Sequence, residues 1–136
     1  MKKIFGILIL IGGFAATSQA QKLNANKVPA SVKAAFSKSY PKITKVSWEM
    51  EKQDYEAGFT VNGKNNSALY SAKGILLETE VEIDKSELPI LVITKLKGMK
   101  IAEAAKITKA NGTVLYEAEV KGKDLLFDAS GNPVKL

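Results

Sequence analysis

One phrase of the sequence occurs twice, and this repeat constrains the fold more than any other feature. The first copy reads DYEAGFTVNGKNNSALYSAKGILL over residues 54 to 77, and the second reads LYEAEVKGKDLLFDASGNPV over residues 115 to 134. Each copy has a Tyr-Glu-Ala run, a glycine-containing turn, an aromatic residue and a further lone glycine. Such self-similarity predicts a chain built from two copies of one supersecondary unit.

A helix is predicted ahead of the first copy, in the run VPASVKAAFSKSYP. Pro29 suits the first turn of a helix, where its missing N–H has no partner to lose. Pro41 ends the helix near Tyr40, because the residue before a proline is disfavoured in helical conformation. Apolar residues recur at helical spacing between these prolines: Val32, Ala35, Phe36 and Tyr40.

The corresponding run ahead of the second copy is SELPILVITKLKGM. Its β-branched residues leave a strand as the alternative. Pro89 and the position within the repeat favour a helix. The predicted apolar stripe is Leu88, Leu91, Val92 and Leu96.

Short alternating runs follow each helix and predict strands. In SWEME, Trp48 and Met50 lie on one side, and Glu49 and Glu51 lie on the other. Dipeptides such as Asn62-Gly63 favour tight hairpin turns, since both residues tolerate positive φ. Because the aromatic residues share sides with valine and alanine, we expect them in the core rather than in a binding platform: Trp48, Tyr55, Phe59, Tyr70, Tyr116 and Phe127.

The predicted unit is α-β-β-β-β, written twice, over about residues 27–84 and 85–136. A unit of this size is marginal as a free domain, because a small chain buries too little of its surface. We therefore predict one α+β domain over residues 21–136, with one antiparallel sheet of about eight strands and both helices on one face. The polar run from Gln21 to Lys27 is predicted to be a loose lead.

Residues 1–20 have the pattern of a secretory signal peptide. Lys2 and Lys3 precede an apolar run, and the small residues Ser18 and Ala20 stand at the cleavage positions. The apolar run is shorter than the roughly 20 residues that a spanning helix needs. We expect a periplasmic or secreted protein with no stable membrane anchor after cleavage.

The residue types that are missing exclude several functions. The chain has no cysteine and no histidine, so it can form no Cys-His or Ser-His-Asp catalytic set and no ordinary zinc site. All 20 basic residues are lysines, and the lack of arginine argues against sequence-specific nucleic-acid binding. We expect no enzyme and no cofactor, since a hydrolase would have to work with carboxylates or lysines alone.

The repeated pattern resembles the PepSY-like, beta-lactamase-inhibitor-like domains, which are small exported proteins common in Bacteroidetes. The resemblance rests on VPASVKAAFSKSYP, the Trp-Glu strand, DYEAGFTV and NGTVLYEAEVKGKDLLFDASG, and it covers about residues 27 to 135. The sequence departs from the pattern at Ser71, where aspartate is usual, and in PILVITKLKG. The resemblance implies a tandem-repeat fold with an exposed sheet face, which grips a protein partner in the inhibitor relatives. It implies no catalytic motif.

Glutamates cluster on the predicted strands, opposite the apolar residues, whereas lysines gather on helices and turns. This arrangement predicts an acidic open sheet face, which is either a docking surface for a cationic partner or a solvated face of an antiparallel sheet. The candidate residues for a partner-binding face are Glu49, Glu51, Glu56, Glu78, Glu80, Glu117 and Glu119.

The favoured function is an exported binding or inhibitor-like module that engages a protein or peptide through this face. The alternative is an envelope protein that binds a small ligand or a divalent cation there. Four further acids lack the dense spacing of a calcium loop, so no metal site is assigned to Asp84, Glu87, Asp124 or Asp128. FDASG is predicted to be a turn in which the aspartate accepts backbone N–H bonds. Unpaired sheet edges leave dimerisation open.

Overall fold

A computed structural model describes residues 21 to 135. The predicted signal peptide lies outside the described residues. The chain divides into two compact units at the step from Thr79 to Glu80, and each unit is described separately below.

The predicted fold class is confirmed. Within residues 21–135, eight strands form one antiparallel sheet in chain order, and two helices accompany it. A short 3-10 turn precedes each helix, at Ala25–Lys27 and Lys85–Glu87. The helices are α1, Ala30–Ser39, and α2, Ile90–Lys95. The strands are β1, Gln21–Leu23; β2, Ser47–Glu51; β3, Asp54–Val61; β4, Lys64–Tyr70; β5, Leu76–Ile83; β6, Ile101–Lys109; β7, Val114–Val120; and β8, Lys123–Phe127.

The first and last strands differ from the prediction. The run expected to be a loose lead begins with β1, which pairs antiparallel with β2 and brings Leu23 opposite Trp48. The three residues of β1 are too few to show an alternation pattern in the sequence. They are recognisable as a strand only through their pairing with the edge of β2. The fourth strand predicted for the second α-β-β-β-β unit is reduced to an isolated bridge between Phe127 and Pro133.

The core of the first unit is aromatic. Val32 and Phe36 on α1 are buried, as the helical spacing predicted. The Phe36 ring meets the rings of Trp48 and Phe59 edge-on, with centroids 5.7 and 5.1 Å apart. The Tyr40 ring lies 4.5 Å from that of Phe59. Edge-to-face aromatic pairs add about 0.5–1.5 kcal/mol each beyond the area that they bury.

The core of the second unit is mainly aliphatic. α2 confirms the helix over the strand alternative, and Leu88, Val92 and Leu96 pack with Val120 and Phe127. The prediction for Leu91 is wrong, because its side chain is 53% exposed. The three buried positions are four residues apart and form one narrow stripe. Leu91 lies about 100° around the helix from Val92, on the solvent side.

The hairpin turns align the strands as predicted. Asn62 and Gly63 both have positive φ, 50° and 77°, which is the geometry of the favoured two-residue turn. Val61 and Lys64 stand opposite each other as a result. The alternation along β3 and β4 therefore continues in register across the hairpin.

Candidate functional site

The open sheet face of the first unit is formed by every second residue of β2 and β3. Ala57 is buried in the core and stands opposite Trp48. The next position along, Glu56, stands opposite Glu49 on β2 and Leu69 on β4. Because side chains alternate along a strand, these residues point away from α1, as predicted.

Four of the seven predicted face residues are buried, and the alternative of a solvated sheet face does not describe these four. Their exposed fractions lie between 4% and 7%, for Glu56, Glu78, Glu80 and Glu117. Glu49, Glu51 and Glu119 are partly exposed. Each buried glutamate lies on an interior strand, with a further strand on either side of it. Neighbouring side chains cover such a position even where no helix packs on the sheet.

Glu56 is the centre of a carboxyl cluster in the first unit. Burial raises the pKa of Glu56 to about 8, and the charges of Glu51, Glu49 and Glu78 add to the rise. The Glu56 side chain is hydrogen bonded to Glu51. Burial also raises the pKa of Glu51, with Glu78 and Asp54 contributing.

A hydrogen bond between two carboxyl groups needs one proton, since an ionised carboxylate only accepts. The Glu51–Glu56 pair therefore retains one proton at neutral pH. The pair carries less negative charge than its two carboxyl groups suggest. A cation placed beside it would favour release of this proton, because a nearby positive charge stabilises the ionised form.

The corresponding face of the second unit mixes acids with apolar residues. Glu117 on β7 stands opposite Ala105 on β6 and Leu126 on β8. Glu119 stands opposite Asp124, and burial, followed by the charge of Glu119, raises the pKa of Asp124. Ala105, Ile107 and Leu115 are buried on this side, so the face is less polar than that of the first unit.

A register shift between Ile101 and Glu103 helps to build this second face. Ile101 packs toward the core of the second unit. The bulge then lets Glu103 pair with Glu119 on the other side of the sheet. An unbroken alternation would have kept Glu103 on the side of Ile101, so the strand period alone does not place Glu103 on this face.

Acidic residues are concentrated on these faces. Eleven of the 14 acidic residues of the chain lie at such positions, by strand register or by alternation with core residues. We call Glu49, Glu51, Asp54, Glu56 and Glu78 the first acidic face, and Glu80, Glu82, Glu103, Glu117, Glu119 and Asp124 the second acidic face. Asp54, Glu82, Glu103 and Asp124 were absent from the predicted set.

The remaining three acids have local structural partners. Asp84 donates its backbone N–H to Glu87 over 2.7 Å as part of a capping box. Asp128 accepts N–H bonds of 2.9 Å from Ser130 and from Asn132, which confirms the predicted FDASG turn. The bonds from Asn132, with a smaller part from Ser130, lower the pKa of Asp128.

The part of the chain that the structure describes contains neither a metal centre nor an aromatic binding platform. Within residues 21–135, no three acidic side chains are grouped so that they could hold a metal ion. The aromatic residues belong to the core, as predicted: Trp48, Phe59, Tyr70 and Phe127 are buried, and Tyr55 and Tyr116 pack against them.

Comparison with known proteins identifies the fold. No protein-family model matches the chain, and no curated protein is significantly similar to it in sequence. A solved structure from Bacteroides eggerthii, described as "putative periplasmic", is 19% identical and has a TM-score of 0.72 over 79% of this chain and 86% of that chain. A DUF2874 family protein from Bacteroides uniformis is 20% identical, with a TM-score of 0.70 over 78% and 86%.

A BLIP-like protein from Bacteroides fragilis is 22% identical, with a TM-score of 0.64 over 78% of this chain and 83% of that chain. This likeness supports the beta-lactamase-inhibitor-like part of the expected resemblance, and nothing in the comparisons supports the PepSY-like part. Among the described residues, neither helix has the length and apolar character needed to cross a membrane. The chain shares the fold of BLIP-like and DUF2874 proteins.

Proposed function

We propose that the chain is an exported, non-enzymatic binding module that engages a protein or peptide partner through its acidic sheet faces. The observation that carries the proposal is the one-sided distribution of acids, with five in the first acidic face and six in the second. The segment that contains α1 is basic instead: residues 24 to 46 contain five lysines and no acid. This separation favours a partner that presents positive charge.

The partly exposed carboxylates are the ones that a partner would contact. Glu49 and Glu51 flank the buried Glu56, and Glu119 lies on the same strand as the buried Glu117. Charges near a poorly solvated surface interact more strongly than charges in water. A lysine of the partner beside Glu51 would therefore interact with the partly exposed carboxylates, and it would favour release of the proton that Glu51 and Glu56 share.

Export is supported by the signal-peptide pattern of residues 1–20 and by the description of the Bacteroides eggerthii neighbour. A non-catalytic role is supported by the missing cysteine and histidine and by the likeness to a BLIP-like protein. Pairing of two copies at a sheet edge stays a prediction, as does the lack of nucleic-acid binding.

Calorimetry with a lysine-rich peptide tests the proposal. Wild type should bind, and the affinity should fall as salt is raised, since screening weakens exposed charge pairs. The Glu49→Gln and Glu119→Gln variants should each bind roughly fivefold more weakly. The Glu87→Gln variant is the matched control, because it removes one charge outside the acidic faces and retains a hydrogen-bond acceptor.

Two results would contradict the proposal. One is the absence of peptide binding at low salt. The other is an equal loss of affinity in the control and in the two face variants. A calcium titration of the same samples addresses the alternative, because calcium binding that is lost in Glu49→Gln would favour an ion-binding protein instead.

A further inference from the structure

The outer side of the second helix carries large apolar side chains in the open. Ile90 is 71% exposed and Leu91 is 53% exposed, and Met99, just beyond the helix, is 51% exposed. Val92 and Leu96 supply the buried side of the same segment. The exposed aliphatic groups are therefore additional to the core.

The first unit shows that the fold does not need these side chains. Val28-Pro29 and Leu88-Pro89 are equivalent steps of the repeat, so Ala30 and Ser31 are the counterparts of Ile90 and Leu91. The Ser31 carbonyl lies against Gly74 in the first unit, and the Leu91 backbone lies against Gly131 in the second. The shared contact uses the backbone of the helix. An alanine and a serine serve at these positions in the first unit.

The charges around α2 are mainly positive. Residues 88 to 102 contain no acid and three lysines, and Lys95, Lys97 and Lys100 are all exposed. Lys95 follows Leu91 by four residues, which places the two side chains on the same stretch of helix surface. Asp128 is close enough to Lys95 for the lysine charge to lower its pKa. Lys97 and Lys100 have no acid within two residues along the chain.

We infer that the surface formed by Ile90, Leu91 and Lys95 on α2 and by Lys97, Met99 and Lys100 just beyond it docks reversibly on an anionic lipid bilayer. Aliphatic side chains beside lysines are the composition of interfacial segments. The aliphatic groups enter the headgroup region, while the lysine stems lie along it and their ammonium groups contact lipid phosphates. The acidic faces take no part in this contact, so the inference is independent of the proposed function.

Vesicle flotation tests the inference on the protein as recovered after export, with all variants sharing its N-terminus. Wild type should float with vesicles of phosphatidylglycerol and phosphatidylcholine and should float less with phosphatidylcholine alone. The Ile90→Ala and Leu91→Ser double variant restores the residues of the first unit. Its affinity for anionic vesicles should be lower by up to about tenfold, because the variant loses the transfer free energy of two partly buried aliphatic side chains.

A second variant examines the charges. Lys97→Gln with Lys100→Gln should weaken binding to the anionic vesicles by more than tenfold, at about fivefold per lysine. Ile75→Ala is the matched control for the Ile90→Ala and Leu91→Ser double variant. Ile75 is an aliphatic residue that is 58% exposed in the first unit, and it lies outside the proposed surface. Unchanged thermal unfolding of the double variant would show that its fold is intact.

Three results would overturn the inference. The first is that wild type does not float with the anionic vesicles, so that there is no membrane binding. The double variant and Ile75→Ala could bind like wild type and like each other. Sedimentation could instead reveal a dimer that the double variant loses while vesicle binding is absent, which would assign the surface to a second copy of the chain.

Discussion

The two units repeat the same arrangement of secondary structure but have different core residues. The first packs the ten-residue α1 against Trp48 and Phe59. The second packs the six-residue α2 with aliphatic residues and Phe127. Both retain the proline at the helix start and the glycine turn against the helix. The fold of each unit therefore depends on the positions of its apolar residues and turns. The core can be either mainly aromatic or mainly aliphatic.

The sheet faces of the two units differ more than their cores. The first acidic face places Glu49, Glu51 and Glu78 around Glu56 and retains a proton. The second acidic face intersperses its acids with buried Ile107 and Leu115. A partner would meet a mainly electrostatic surface on the first unit and a mixed surface on the second.

The largest expected effect tests the difference between the cores. Phe36→Ala removes a ring that is 3% exposed and contacts three other rings. It should lower the free energy of unfolding by about 4 kcal/mol, and its counterpart Leu96→Ala by about 3 kcal/mol. Urea denaturation measures both. A larger decrease in unfolding free energy for Leu96→Ala than for Phe36→Ala would contradict the expectation that the aromatic core contributes more stability at this position.

The turns that approach the helices provide the second test. Gly74 has φ +80°, and a Cβ there would lie 2.6 Å from the Ser31 carbonyl oxygen; at Gly131 the nearest atoms, on Leu91, would lie 3.0 Å away. Gly74→Ala should cost about 2–4 kcal/mol of unfolding free energy, from backbone strain and overpacking. Gly131→Ala should cost less.

Gly63 supplies the control for this test. It has positive φ, but a Cβ there would meet nothing within 4 Å. Gly63→Ala should therefore show only the backbone cost of about 1–2 kcal/mol. Equal destabilisation of Gly63→Ala and Gly74→Ala in thermal unfolding would show that the close approach of the Gly74 turn to α1 does not add to the cost of the substitution.

The proton of the first acidic face makes stability depend on pH. The pKa of Glu56 is about 8 in the folded protein against 4.5 ordinarily, so the folded state binds more protons between these values. The free energy of unfolding should therefore fall as pH rises from 4.5 to 8, by on the order of 2–4 kcal/mol. Glu56→Gln should flatten this fall, as measured by urea denaturation across the range.

The second unit provides the comparison for the pH test. Glu119→Gln makes the same chemical change on the second acidic face, at a partly exposed position. A pH slope that flattens equally in Glu119→Gln and Glu56→Gln would show that the carboxyl cluster around Glu56 is not its source.

The smallest expected effect concerns the turns that lead into the helices. Glu87 accepts a hydrogen bond from the Asp84 N–H, whereas the first unit has no side-chain cap at the equivalent Asn24. Glu87→Ala should lower the free energy of unfolding by about 1 kcal/mol. Lys27→Ala, at the equivalent position, should change it by less than about 0.5 kcal/mol. Equal changes in unfolding free energy for Glu87→Ala and Lys27→Ala would show that the capping box does not stabilise the second unit relative to the first.

Several features of the fold and of the site were readable from particular residues. Val32 and Phe36 marked the buried side of α1, and Asn62-Gly63 marked a hairpin. The exposure of Leu91 was also readable in principle, because the repeat aligns it with the polar Ser31. That signal lies in the comparison of the two copies, whereas the helical spacing of α2 by itself groups Leu91 with Val92.

Periodicity determined which side of a strand each residue occupies, and hence that Glu49, Glu56 and Glu117 lie opposite the core. This follows because successive side chains of a strand point to opposite faces. The duplicated phrase predicted the two repeated units, and dipeptides such as Asn62-Gly63 predicted the turns.

Only the tertiary structure decided how well each side is covered. Burial of Glu56 and Glu117, the shared proton, the pairing of β1 and the reach of Glu103 to Glu119 all depend on neighbours that are distant in sequence. Solvation and pKa respond to every group that surrounds a side chain, whereas a local pattern records only the direction in which the side chain leaves its strand.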